Sequence, residues 1–155
     1  MHKSRRHALG QHFLANPGVL RKIVAAVDPR PGDVVVEVGA GRGALTSLLA
    51  ERAGRVIALE KDERLVPALK ETLPANVEVV HGDILRTELR DILKSAGVAS
   101  LRLAGNIPYS ISSPLLFRVL DERDIVSDAV FLVQKEVAER VTAGPGTKSY
   151  APLGI

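Results

Sequence analysis

The sequence predicts an α/β fold, a parallel sheet with helices on both faces. Apolar runs of strand length alternate along the chain with segments of about ten residues that have helical spacing. The run Val34–Val38 has four valines in five positions, which suits a strand buried on both faces. Glycines follow at positions 39, 41 and 43, where such folds turn beside a bound nucleotide. A length of 155 residues fits one domain.

The elements can be placed in chain order from periodicity and end signals. Asn16-Pro17 is typical of a helix start, and Asp28-Pro29 ends that first helix. We expect Asp62 to cap the third helix and Ser113-Pro114 to begin the fifth. The predicted strands span 34–38, 55–60, 77–81, 101–105 and 129–133. The remaining helices are predicted over 44–53, 89–96 and 134–143.

Composition excludes several classes of protein. The chain has no cysteine, which rules out disulfides, thiolate zinc sites and cysteine nucleophiles, and it fits a reducing, cytoplasmic location. No apolar run approaches the roughly 20 residues of a membrane helix, and we expect neither a membrane span nor a secretory signal. A net charge of +3 and a basic segment over 1–7 favour a polyanionic partner.

Acidic residues flank the glycine turn. Glu37 lies inside a predicted strand, where a carboxylate is costly unless it accepts hydrogen bonds. Glu60 ends the next strand and could bind both hydroxyls of a ribose. Asp83 follows the third strand and could accept a hydrogen bond from an adenine amino group, although capping the next helix is its alternative role. The glycine spacing also fits a dinucleotide fingerprint, so a nicotinamide site and an S-adenosylmethionine (AdoMet) site both remain open here.

The segment Asn106-Ile107-Pro108-Tyr109 leaves the end of the fourth strand. Proline stiffens the backbone, so that the Asn106 side-chain oxygen and the Ile107 carbonyl can point at one exocyclic amine. Tyr109 offers a flat surface on which an extruded base can stack, worth about 1–3 kcal/mol. An ordinary proline turn with a surface tyrosine is the alternative interpretation.

These motifs together resemble one family. The Asn106–Tyr109 segment resembles the signature of AdoMet-dependent RNA adenine dimethyltransferases, and the similarity runs from about Ala8 to Ile155. Within this family, the sequence resembles the small-subunit rRNA dimethyltransferases more closely than the macrolide-resistance enzymes, which act on the large subunit. The matching segments are Gly10-Gln11-His12-Phe13-Leu14, the glycine turn with the following Ala-Leu-Thr, Glu60, Gly82-Asp83 and 132–140.

The resemblance implies a Rossmann-like class I AdoMet-dependent methyltransferase fold. It divides the chain into a basic arm and cofactor-lining segment, 1–15, and an AdoMet-binding domain, 16–155. Asn106 lines the junction of cofactor and target base, and with Ile107, Pro108 and Tyr109 it forms the catalytic set. The residues implied to bind the cofactor, besides Asn106, are His12 (asparagine in many relatives), Leu14, Gly39 and Gly41 on the methionine part, Glu60 on the ribose, Asp83 on the adenine amine and Ile84 on the ring.

The implied activity is methyl transfer to the N6 amine of adenosines in small-subunit (16S-type) rRNA. It gives N6,N6-dimethyladenosine on a pre-30S particle, and we expect a monomer that needs no metal. The alternatives are a large-subunit rRNA methyltransferase, a non-catalytic RNA-binding or transcription-factor relative, and a nicotinamide oxidoreductase. The family sheet has seven strands and a helical domain follows it. We therefore expect this chain to lack the last two strands and that domain, to expose the edge of its fifth strand, and to bind AdoMet while methylating RNA weakly or not at all.

Overall fold

The computed structural model describes residues 16–148. His12, Leu14 and the basic arm lie outside this range. The chain alternates helices and strands throughout the range, as predicted. The elements are α1 (Pro17–Val27), β1 (Val34–Val38), α2 (Ala44–Ala50), β2 (Arg55–Glu60), α3 (Val66–Thr72), β3 (Val77–His81), α4 (Leu89–Ala96), β4 (Leu101–Asn106), α5 (Tyr109–Asp121), β5 (Val126–Leu132) and α6 (Lys135–Thr142).

Five parallel strands form one sheet in the order β3-β2-β1-β4-β5. The chain builds outward from β1 through β2 to β3, and then returns to place β4 on the other side of β1. The order therefore reverses between β1 and β4, and ligands of open α/β sheets bind at this kind of switch point. Within the described residues β5 is an outer strand, as the sequence predicted.

Helices cover both faces of the sheet. Side chains alternate along β1, so that Val35 faces one layer while Val36 and Val38 face the other. The Val35 layer packs against α1 and α2, and the opposite layer packs against α4 and α5. The predicted Rossmann-like fold is confirmed.

The predicted first residues of two helices and one strand were wrong. Asp62 does not cap α3; its side chain accepts the Arg64 N–H at 3.0 Å and closes a turn that ends before Val66. Helix α5 begins at Tyr109 rather than Ser113, which leaves Pro114 inside the helix. Packing of Leu115 in the core outweighs the one backbone hydrogen bond that proline removes. Strand β5 begins at Val126 rather than Ala129. The prediction missed its first residues because a bulge opposite Leu101 brings polar residues into the strand and interrupts its apolar pattern.

No helix within residues 16–148 combines the length and the apolar character needed to span a bilayer.

Candidate functional site

The predicted site residues of the described range meet at one edge of the sheet. The glycine turn follows β1, Glu60 ends β2, Asp83 follows β3 and Asn106 ends β4. Val38 is in register with Leu59 on one side and with Gly105 on the other, so the carboxyl ends of these strands align. Neighbouring strands lie about 4.8 Å apart. The four features therefore lie side by side along the carboxyl edge, with the switch point between the glycine turn and Asn106.

The glycine turn has the backbone that its sequence predicts. Gly39 and Gly41 have φ values of 77° and 58°, in the left-handed region that favours glycine. The N–H groups of Gly39 and Ala40 both donate to the Leu59 carbonyl, at 2.9 and 3.2 Å, which ties the turn to β2. A Cβ added to Gly39 would meet no atom of residues 16–148 within 4 Å, so those residues leave the space beside Gly39 open.

Glu60 is buried and holds the backbone on both sides of it. One carboxylate oxygen accepts the N–H of Gly41 at 2.7 Å, and the other accepts the N–H of Asp62 at 2.8 Å. Only 2% of the residue is exposed. Each carboxylate oxygen has two lone pairs, so an oxygen that accepts one hydrogen bond can accept a second. Sequence analysis anticipated the acceptor but not its role in shaping the turn.

Glu37 lies in the middle of β1 and faces the α1–α2 layer. Burial raises the pKa of this carboxyl to about 8; the hydroxyl of Thr46 opposes the shift and the charge of Glu60 adds to it. Within residues 16–148, neither Glu37 Oε2 nor Thr46 Oγ1 has a hydrogen-bond partner of ordinary geometry. The expected set of hydrogen bonds is therefore not complete, and the structure meets the cost of burial by favouring the protonated acid.

Asp83 projects from a tight turn between β3 and α4. Its Oδ1 atom accepts the Leu85 N–H at 3.0 Å, and its Oδ2 atom pairs with the Lys61 ammonium at 2.9 Å. Partial burial is the largest single influence and raises the pKa of Asp83, but Lys61 and the Leu85 N–H together hold it below its usual range. The carboxylate is therefore an ionised acceptor at neutral pH. Ile84 beside it is 3% exposed and belongs to the core.

The segment 106–109 joins β4 to α5. Asn106 pairs with Leu132 of β5, and the next N–H, that of Ile107, donates to the Leu132 carbonyl at 2.8 Å. Ile107 is buried in the core, whereas Tyr109, the first residue of α5, is 59% exposed. A rigid anchor thus presents an exposed aromatic ring. The ring lies on a helix rather than in the loop that sequence analysis predicted.

Close packing of β4 against β1 requires Gly105. A Cβ at this position would lie 2.6 Å from the Val38 carbonyl oxygen. The absence of a side chain lets Asn106 follow directly beside the glycine turn.

Sequence analysis missed two residues of this edge. Lys61 pairs with Asp83, and the ends of adjacent strands could have indicated that contact. Arg118 of α5 donates to two carbonyls of the turn after Asp83, and no local motif marks it. In the part of the chain that the structure describes, no three histidine, aspartate or glutamate side chains converge to hold a metal ion.

The parallel sheet and the residues gathered at its carboxyl edge define a Rossmann-like α/β fold of the kind that binds nucleotides at a switch point. Residues 2–155 match the family described as ribosomal RNA adenine dimethylase, and the chain belongs to that family. The family is AdoMet-dependent.

Relatives and solved structures agree with this assignment. The ribosomal RNA small subunit methyltransferases A of Geobacter metallireducens and Geobacter sulfurreducens are 50% and 47% identical over 152 residues, 97% of this chain and 55% of each relative. A dimethyladenosine transferase from Plasmodium falciparum superposes with a TM-score of 0.76 at 36% identity, covering 90% of this chain and 50% of that one. The 23S rRNA methyltransferase ErmE gives 0.73 at 32% identity, with coverages of 84% and 51%. The chain thus spans about half the length of the relatives it matches.

Proposed function

We propose that this chain binds AdoMet and transfers methyl groups to the N6 amine of adenosines in small-subunit rRNA. The observation that carries the proposal is the junction at the sheet edge. Asn106 ends β4 and the exposed ring of Tyr109 follows it, on the same side of the sheet as Glu60 at the end of β2 and Asp83 after β3. The names of the two Geobacter relatives support the small subunit as the source of the substrate.

The acceptors at this edge fit AdoMet. Glu60 suits the ribose hydroxyls and Asp83 the adenine amino group, while the open space beside Gly39 accommodates the methionine part. Ile84 supports the ring and Gly41 lies in the same turn. The family resemblance adds His12 and Leu14, which lie outside the described residues. When bound, AdoMet supplies an activated methyl group for an in-line displacement.

The chain's own contribution is alignment and charge compensation. The Asn106 side-chain oxygen and the Ile107 carbonyl accept the two N–H groups of the target amine, which leaves its lone pair facing the donor. These acceptors gain strength as positive charge grows on the nitrogen. Pro108 stiffens this pair of acceptors, and Tyr109 stacks on the extruded base.

Adenosines of the large subunit are the second candidate substrate. The observation that favours them is the similarity to ErmE, 32% over 84% of this chain. We rank them below the small subunit because the Geobacter relatives are more similar. The proposed partner is a pre-30S particle. Because such particles are cytoplasmic, we propose a cytoplasmic location for the protein as well.

A methylation assay tests the proposal. The chain, in molar excess, is incubated with AdoMet and small or large subunits from a strain that lacks the modification, and the rRNA nucleosides are identified by mass spectrometry. We expect N6-methylated adenosine from small subunits, formed more slowly than by the Geobacter metallireducens relative. Asn106→Ala is the matched control; it should abolish methylation and leave AdoMet affinity within about tenfold, roughly 1.4 kcal/mol.

Three results would each overturn a different part of the proposed function. Methylation of large subunits alone would favour the second candidate substrate. A product from the relative but none from this chain would overturn the proposed methyl transfer by this chain. Binding of NAD in place of AdoMet would refute the cofactor.

A further inference from the structure

Arg118 bridges α5 and the turn that carries Asp83. Its guanidinium donates to the carbonyl oxygens of Ile84 and of Thr87, the latter at 2.5 Å. Its Nε atom pairs with Glu122 at 2.9 Å, one helical turn further along α5. Only 15% of the Arg118 side chain is exposed. A largely buried cation with three partners on two elements holds those elements in one arrangement.

The turn itself is organised around Asp83. The Asp83 carbonyl accepts the N–H groups of Arg86 at 2.9 Å and Thr87 at 2.8 Å, and its carboxylate accepts the Leu85 N–H at 3.0 Å. Arg118 donates to the Ile84 and Thr87 carbonyls of this turn, which accept none of these internal hydrogen bonds. The carboxylate is thus fixed by the turn, and Arg118 holds the turn from the helix side.

Helix α5 connects this support to the segment that precedes it. Tyr109 begins the helix and Arg118 is nine residues further on, about 13.5 Å along the helix axis. Between them Leu115 packs in the core cluster that also contains Ile84 and Ile107. One rigid element therefore carries the exposed ring of Tyr109 at its start and the support of the Asp83 turn further along.

We propose that Arg118 is a positioning residue for adenine recognition, because it fixes the turn from which Asp83 accepts the adenine amino group. The inference rests on the proposed AdoMet site and adds a specificity role outside it. Arg118 acts through the turn and not by touching the ligand. Removing Arg118 should therefore weaken binding of ligands that carry the adenine amino group more than binding of ligands that lack it.

Two ligands separate these effects. S-adenosylhomocysteine carries the amino group, and S-inosylhomocysteine carries an oxygen in its place. Calorimetry with both ligands is done on the parent chain, Arg118→Gln, and Arg90→Gln as the matched control. Arg90 pairs with Asp124 on the surface and makes no hydrogen bond to the turn within the described residues.

We expect Arg118→Gln to weaken S-adenosylhomocysteine binding about tenfold and S-inosylhomocysteine binding at most about twofold, with Arg90→Gln unchanged on both. Equal losses on the two ligands would indicate a merely structural role and overturn the inference, as would no loss on either. Absence of binding by the parent chain would instead refute the cofactor assignment, which is seen before any variant is compared.

Amide hydrogen exchange provides a readout that needs no ligand. Faster exchange at Leu85 and Thr87 is expected in Arg118→Gln, because both N–H groups donate to Asp83 within the turn. Unchanged exchange at both would contradict the inference. If Arg118→Gln fails to fold, Arg118→Lys keeps the charge and should give an intermediate loss of discrimination, since an ammonium cannot reproduce the planar fork of donors.

Discussion

The carboxylate of Glu60 accepts a hydrogen bond of 2.7 Å from the backbone N–H of Gly41 and so joins the end of β2 to the turn after β1. Its other oxygen accepts the Asp62 N–H at 2.8 Å. One buried side chain thus shapes the backbone on both sides of the proposed ribose subsite. The two roles are compatible, because each oxygen can accept more than one hydrogen bond.

Replacing Glu60 by alanine should weaken AdoMet binding and also lower stability. The ribose loses charged hydrogen bonds worth about 1.5–3 kcal/mol each, and the N–H groups of Gly41 and Asp62 lose their acceptor. Calorimetry should show at least about a tenfold loss of affinity. The control is Glu63→Ala, which removes an exposed carboxylate just beyond the same strand and should change neither affinity nor stability. Equal affinity of Glu60→Ala and the parent would exclude Glu60 from the site.

Glu37 should make stability depend on pH. Its pKa is raised from 4.5 to about 8, so the folded state holds a proton that the unfolded chain releases between these values. The stability contributed by the protonated carboxyl is therefore present below pH 4.5 and is lost as pH rises toward 8. The slope is at most about 1.4 kcal/mol per pH unit.

Urea unfolding at about pH 5.5 and about pH 7.5 tests this behaviour. Over this interval the parent should lose up to about 3 kcal/mol more than Glu37→Gln, whose neutral amide resembles the protonated acid. Other groups titrate alike in both proteins, so the difference isolates Glu37. Identical pH profiles would show that Glu37 titrates near its ordinary value.

Most of the fold could be predicted because local signals and packing agree. The valines of β1 and the glycines after it indicate strand and turn independently, and both are found. The errors arose where packing overrides a local signal. Pro114 is typical of a helix start, yet Leu115 and the buried Ile107 hold the whole segment from Tyr109 as one helix.

The site was predictable only where a residue follows a strand end. Glu60, Asp83 and Asn106 could be placed at one edge because parallel strands share a direction. Arg118 could not, since its partners in the turn lie 31 and 34 residues away along the chain and only the packing of α5 brings them together. Among the described residues Glu37 Oε2 has no hydrogen-bond partner, and this depends on side-chain geometry, which no spacing rule provides.

Arg102 stabilises the side of the sheet where the strands begin, opposite the carboxyl ends that carry the candidate site. Its guanidinium binds Asp128 with two hydrogen bonds of 2.9 and 2.7 Å, Asp33 at 2.7 Å, and the Val27 carbonyl at 2.5 Å. The partly exposed setting reduces the value of each contact. We expect Arg102→Ala to lower the free energy of unfolding by about 2 kcal/mol.

The control is Arg90→Ala, which removes one exposed ion pair and should cost less than about 1 kcal/mol. AdoMet affinity should be unchanged in both variants, because Arg102 lies near the amino end of β4, away from the glycine turn. A loss for Arg102→Ala no larger than that for Arg90→Ala would show that the contacts of Arg102 with three segments of the chain do not act together.

The exposed ring of Tyr109 should matter for methylation and for little else. With 59% of the residue exposed, the ring contributes little to the core, so Tyr109→Ala should leave the unfolding midpoint and AdoMet affinity unchanged. Stacking on an extruded base is worth about 1–3 kcal/mol, which corresponds to a loss of about 5- to 150-fold in single-turnover methylation of small subunits. Tyr109→Phe keeps the ring and should retain the parent rate within about twofold. If Tyr109→Phe were as slow as Tyr109→Ala, the hydroxyl and not the ring surface would be the functional group. If Tyr109→Ala methylated at the parent rate, the target base would not stack on this residue.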